Sequence, residues 1–342
     1  MSVDILNDMK FIRPTKDDIP TFLEYYDVFF KNNKWSVSRF SIINAIAEEE
    51  FYYSIYDGMF FFWKIVVYKR KKGASMTLYI PPIDKNQDSE KELKYINLMS
   101  NIGINTILSE EDIDRYGLDK KDYKEIATFT EYIADSELLC SLEGKTFKKL
   151  RYTYNKYIKS DFATLFTHDK INKSMFIDVV SLVKEWVTRH IAKHDRVWSN
   201  PVKSISMYNK YQYDNIFQFV AISDNTDLLC YEVTEHINKN QVLSTIGHRS
   251  YTKGLEYNFI NESILIAGVQ NLQHELGHNF LINLGAVGFD NNLKKQKMKY
   301  KPIKKLKFYR FTKNKNFLTF LDKVAILSKL RFSNKNTRFK VK

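Results

Sequence analysis

The sequence predicts an α/β (α+β) protein made of two related units, each with a mixed, mostly antiparallel sheet. Three observations predict this. Strand-type and helix-type apolar periods alternate along the chain. The order helix, three-stranded meander, helix occurs twice. A length of 342 residues with 44% hydrophobic content suits two domains better than one.

In the first unit, residues 16–31 (KDDIPTFLEYYDVFFK) read as an amphipathic helix opened by acids and a proline. The run FYYSIY-DG-MFFFWKIVVY (51–68) places Asp-Gly between aromatic and β-branched stretches, a strong hairpin signal. A third strand follows the basic turn KRKKGA, in SMTLYIPP (75–82), and apolar spacing predicts a helix over 89–100. The second unit opens with a helix over 174–194. Strands follow at 217–223, 228–236 and 241–250, separated by DNTD and NKN. A long helix from Tyr257 to Leu276 carries the stripe Ile260, Ile264, Leu265, Val269, Leu272, Leu276, and NFLINLG (279–285) closes the unit as a strand.

QHELGHNF (273–280) contains HExxH, the spacing that sets two zinc ligands on one helical face with a glutamate as general base. Its surroundings argue against a zinc hydrolase. Gly277 falls where the apolar stripe stops, which suits a left-handed helix end and puts His278 in the following turn. His274 points away from the stripe. Catalytic zinc needs a third protein ligand, yet the offsets that would hold the metzincin Gly and His are Leu281 and Leu284, and beyond His278 the chain has neither Glu nor His. Asp290 and an upstream His248 remain as alternatives. No metal site is expected.

The N-terminus lacks a signal-type apolar run, and no stretch of about 18 uncharged apolar residues exists. With only Cys140 and Cys230, a disulfide scaffold is excluded and a cytoplasmic setting is expected. The net charge of +13 is concentrated at one end. From Lys294 to Lys342 there are 18 Lys or Arg against Asp322 alone, +17, which leaves −4 for the rest. Such a segment suits nucleic acid or an anionic membrane surface; a solvated tail fits it equally. Within it, 316–332 has helical apolar spacing, for lying on a membrane or docking on its own core. No phosphate loop, GxGxxG or GxSxG pattern occurs.

The segment EYIADSELLCSLEGKTFKKLRYTYNKYIKS (131–160) joins the units through a short acidic helix, a glycine and a basic aromatic helix. It resembles the C-terminal-domain family of lysyl-phosphatidylglycerol synthetases. Gly144, Phe147, Lys149, Arg151 and Asn155 fall on that family's central motif, with Leu150 and Tyr152 as departures. Tyr257, Asn261 and Glu262 match its late helix, and Ile282, Asn283, Gly288, Leu293, Lys297 and Pro302 its closing signature. PPIDKNQDSEKEL (81–93) is similar to its proline pair and acidic helix start. The residues before the closing glycine, Leu284, Gly285 and Ala286, and Lys294 in place of Arg depart from the pattern.

The resemblance implies two tandem GNAT-like acyltransferase domains, expected at 1–143 and 161–310, with a basic connecting helix over 144–160 and a basic tail over 311–342. It also implies transfer of an aminoacyl group from charged tRNA to a hydroxyl or amine, on a lipid head group or a soluble acceptor, with no further cofactor. Acyl-CoA as donor, a modified nucleic acid as acceptor, and a non-catalytic nucleic-acid- or membrane-binding protein are the alternatives. An aminoacyl ester is already activated, so such an enzyme works by orientation and fixed donors. On this reading Glu262, Asn261 and Asn283 are catalytic candidates, and Lys149, Arg151, Asn155, His248 and Lys297 are substrate-binding candidates. Bland roles compete: a solvated face for Lys149 and Arg151, a helix-start charge for Glu262, a turn for Asn283.

Overall fold

The computed structural model describes residues 5–31, 51–68, 73–119, 121–126, 130–194, 201–210, 217–250, 257–286 and 291–313, apart from Asn7 and Asp122. The expected tail helix over 316–332, most of the KRKKGA turn and Asp290 lie outside these residues.

The chain opens with α1 (Ile19–Lys31), β1 (Phe51–Tyr56), β2 (Met59–Tyr68), β3 (Gly73–Leu78), β4 (Ile83–Asp84), α2 (Ser89–Asn101), β5 (Asn105–Ser109), α3 (Glu110–Tyr116) and β6 (Tyr123–Glu125). The hairpin is as expected, with Tyr56 opposite Met59 across the Asp57–Gly58 turn. Next come β7 (Glu131–Asp135), α4 (Ser136–Ser141), α5 (Lys148–Ile158), β8 (Ala163–Thr167), α6 (Lys173–His194) and α7 (Pro201–Lys210). Then follow β9 (Phe217–Ser223), β10 (Leu228–Asn238), β11 (Gln241–Arg249), α8 (Ile260–Leu276), β12 (Leu281–Ala286), α9 (Asn291–Lys299), β13 (Lys304–Leu306) and β14 (Phe308–Phe311).

Two compact units result, Met1–Ala127 with Lys307–Lys342, and Thr128–Leu306. These bounds differ from the expected 1–143 and 161–310. The segment expected to connect the units belongs to the second: β7 pairs with β12 and β13, and α5 buries Leu150, Tyr154 and Tyr157 in the same core as α8. Residues 131–135 are a strand, and the short acidic helix expected in this segment is α4, which follows it. Their alternation turns Tyr132 and Ala134 into that core.

Each unit has a seven-stranded mixed sheet, mostly antiparallel. The first runs β1-β2-β3-β5-β14-β6, with β4 beside β2. The second runs β13-β7-β12-β11-β10-β9-β8. Among the described residues, each contains one parallel pair bridged by a crossing helix: β3 and β5 through α2, and β11 and β12 through α8. The chain passes from one sheet to the other twice, between β6 and β7 and between β13 and β14.

The second core forms around α8, which buries Ile264, Leu265, Ile266, Val269 and Leu272. Full burial of such side chains stabilises by roughly 1.5–3 kcal/mol each. That burial fixes where the first turn of α8 stands, and the candidate site is built on that turn.

Candidate active site

The two crossing helices begin differently. At α2, the Asp88 side chain accepts the backbone N–H groups of Glu90 and Lys91, and Glu90 and Glu92 add negative charge to the first turn. At α8, Phe259 holds the capping position without a side-chain hydrogen bond, and Glu262 is the acid of the first turn. A 17-residue helix with an uncapped start presents the positive end of its dipole.

A cavity of about 510 Å³ opens at this start. Lys149 and Thr153 face it from α5, Asn261 and Glu262 from α8, and Lys295 and Lys299 from α9, with Lys301 just beyond. Four lysines and one carboxylate thus line it. Glu262 is 6% exposed and forms an ion pair with Lys299, which is itself largely solvated. The Tyr300 hydroxyl, buried in the core, donates to the Asn261 carbonyl oxygen at 3.3 Å and ties α9 to α8.

A second polar group joins Lys297 of α9 to β12 and β7. The parallel pairing of β11 with β12 covers Gln241–Leu281, Val242–Ile282 and Leu243–Asn283, and then the strands part. Past that point the register of β12 against β7 shifts, between Asn283 and Ala286, where Gly285 takes φ +76°. The Asn283 side chain braces this bulge: its Oδ1 accepts the Gly285 N–H at 2.7 Å, and its Nδ2 donates to Glu131 Oε2 at 2.6 Å. The carbonyl oxygens of Leu284 and Ala286 both accept from Lys297 Nζ, the latter at 3.0 Å.

Lys297 is 9% exposed. Burial lowers its pKa to about 8, against the opposing pull of Glu131 and Glu232. Glu131 as a residue keeps some exposure, but its carboxylate is packed in protein. Burial raises its pKa to about 7, while the Asn283 hydrogen bond and the Lys297 charge act the other way.

The expected site residues therefore separate. Lys149, Asn261 and Glu262 line the cavity; Asn283 and Lys297 do not, and are related to each other through Glu131 and the β12 bulge. Arg151 is spent on structure, its Nη1 donating to the carbonyl oxygens of Leu142 and Gly144, Leu142 being the left-handed end of α4. Asn155 is exposed and does not line the cavity. His248 stands opposite Tyr231 in the β10–β11 register, and its side chain lies outside the described residues. Lys295, Lys299, Lys301 and Glu131 were not singled out in sequence. The three lysines belong to the basic run 294–305, and their signal was the helical spacing of Asn292, Lys295, Gln296 and Lys299 along one face.

QHELGHNF is a helix end. Gly277 takes φ +69° and its N–H returns to the Gln273 carbonyl. His278 then leaves the helical face, with Nδ1 2.9 Å from the Leu276 carbonyl oxygen and Nε2 2.6 Å from that of Lys239. Among the described residues, no three His, Cys, Asp or Glu side chains are grouped as metal ligands. No described helix is long and apolar enough to cross a membrane.

No family model matches the sequence, and no curated protein matches it. Solved structures do. A conserved protein of unknown function from Bacteroides thetaiotaomicron superposes with TM-score 0.64 at 12% identity, covering 89% of this chain and 100% of that one. L-PGS from Bacillus licheniformis gives 0.58 at 13% identity, covering 96% and 99%. FemX gives 0.55 at 9% identity, covering 92% and 100%. The expected resemblance thus holds at the level of fold over nearly the whole chain.

Proposed function

We propose that the chain is an aminoacyltransferase whose donor binds in the lysine-lined cavity at the start of α8. The observation that carries this reading is the buried Glu262 carboxylate among Lys149, Lys295, Lys299 and Lys301. A plain acyl donor offers phosphate for the lysines but no cation for a carboxylate. An aminoacyl ester of tRNA offers both phosphates and an ammonium, which takes the place of Lys299 on Glu262. The shared fold with L-PGS and FemX supports the transferase class. On this reading Lys149 and Lys295 hold phosphate, Glu262 holds the amine, and Asn261 orients the ester. The basic tail docks nucleic acid or an anionic membrane surface, and the protein works in the cytoplasm.

The test is transfer of radiolabelled amino acid from a mixture of charged tRNAs to phosphatidylglycerol vesicles or to soluble amines. Product that falls at least tenfold in Glu262→Gln is expected. Turnover of acyl-CoA with none from charged tRNA would replace the donor; binding of tRNA without any product would make the protein a binder.

A further inference from the structure

Helix α5 has two sides with different surroundings. Leu150, Tyr154 and Tyr157 enter the core that α8 also fills, and the Tyr154 hydroxyl donates to Gln270 Oε1 at 2.6 Å. The opposite side faces solvent. Lys148, Tyr152, Lys156 and Lys159 follow one another there at intervals of four, four and three residues, which sets them along one stripe with Asn155 beside it. Tyr152 is 63% exposed, so its ring serves no core, and Lys156 Nζ lies 4.9 Å from the ring centroid. The helix contains no acid, and Lys148, Lys156 and Lys159 have no carboxylate partner among the described residues. The stripe adjoins the cavity, because Lys149 and Thr153 on the same turns line it. From Lys149 to Lys159 the helix runs on for about 15 Å at its rise per residue. A molecule held wholly inside the cavity does not use that length.

The make-up of the stripe chooses among polyanions. An anionic membrane calls for a broad apolar face beside the lysines, whereas the apolar residues of α5 lie mostly in its own core. The exposed Ile158 is about 120° around the helix from Tyr152, off the stripe. A single-stranded nucleic acid calls for cations spaced along a track and an open aromatic ring for an unpaired base. The stripe offers both. We propose that the outer face of α5 is the docking track for the unpaired 3′ end of an RNA, with Tyr152 stacking on a base and Lys148, Lys156 and Lys159 holding backbone phosphates. It rests on the transfer reading above for the identity of the RNA: the 3′-terminal ester lies in the cavity, and the nucleotides before it leave past Lys149 along the stripe. The track makes and breaks no bond; it adds affinity and aims the ester.

The experiment is fluorescence anisotropy of the full chain with 5′-labelled, unacylated bulk tRNA, and with the same tRNA trimmed of its unpaired 3′-terminal nucleotides. Tyr152→Ala is expected to weaken binding of intact tRNA about tenfold without changing its salt dependence, and to have no effect on the trimmed RNA. Tyr152→Phe keeps the ring and is expected to bind as the wild type does. Lys148→Gln with Lys156→Gln and Lys159→Gln is expected to weaken binding of intact tRNA at least tenfold and to flatten its salt dependence by about three phosphate contacts. All these side chains are exposed, so unchanged melting temperatures are expected alongside. Wild-type affinity of Tyr152→Ala for intact tRNA, an equal loss on the trimmed RNA, or no binding of tRNA at all overturns the proposal. So does a lysine variant that loses phosphatidylglycerol vesicles and keeps tRNA, which would make the face a membrane surface. Binding needs no ester, so tRNA held in this way without transfer of an amino acid strikes the transfer reading and leaves the track.

Discussion

The Asn283 amide nitrogen donates to the Glu131 carboxylate at 2.6 Å, from a residue with no exposed surface, and the same side chain's oxygen holds the Gly285 N–H. Replacing Asn283 with Leu strands the backbone donor and the carboxylate together. A buried polar group left without its partner costs about 1–3 kcal/mol. Urea unfolding of Asn283→Leu is expected to show that loss with an unchanged m-value.

Glu131 also makes stability depend on pH. Its folded pKa is raised from 4.5 to about 7, so between those values the native state holds a proton that the unfolded chain has released. Its contribution is full below about pH 4.5 and is lost as pH rises through 7. Lys297 runs the other way: its folded pKa is lowered from 10.5 to about 8, so its contribution is full above 10.5 and is lost as pH falls through 8. Thermal melts are expected to show a shallow minimum between pH 7 and 8 that Glu131→Gln weakens on its acid side.

Lys149 is exposed and Lys295 lines the cavity beside it, so their removal should spare the fold. Lys149→Ala with Lys295→Ala is expected to weaken tRNA binding about tenfold and to flatten its salt dependence by roughly two phosphate contacts, in filter binding at two or more salt concentrations. The melting temperature is expected to stay within a degree or two. Arg151→Ala should do the reverse, lowering stability by about 1 kcal/mol through the lost Leu142 and Gly144 carbonyl partners, with tRNA affinity nearly unchanged.

For the helix end, Gly277→Ala forces a side chain into left-handed backbone and is expected to cost about 1 kcal/mol. His274 is exposed, and His274→Ala is expected to leave stability and metal content as they are. Zinc that disappears with His274 in elemental analysis would overturn the helix-end reading.

Much of the fold was legible because the signals are local. The 51–68 hairpin, α2, α6, the β9–β11 meander and α8 follow from periodicity and turn residues in contiguous runs. What escaped depends on partners far away in sequence. β5, β6, β13 and β14 are short strands of three to five residues that become strands by pairing across the chain, as Phe308 does with Ser109. The same holds for the site. Glu262 and Asn261 were visible as a helix start, but nothing local marked Glu131. Its carboxylate matters because β7 joins β12 about 150 residues later in the chain. The partners of Arg151 were hidden for a related reason, since they are the carbonyls of the turn before its own helix.

Sheet order also constrains how the protein is made. Among the described residues of the first sheet, β6 pairs with β14 alone, and β14 also covers β5. Residues 123–125 therefore wait, on a ribosome, for residues 308–311 to emerge. The unit that starts first is the last to be completed, after the whole of the second has been synthesised. Until then the outer edge of β5 is an open template for a neighbouring nascent chain. A truncation before Phe308 is expected to cost the first unit its order while leaving the second intact.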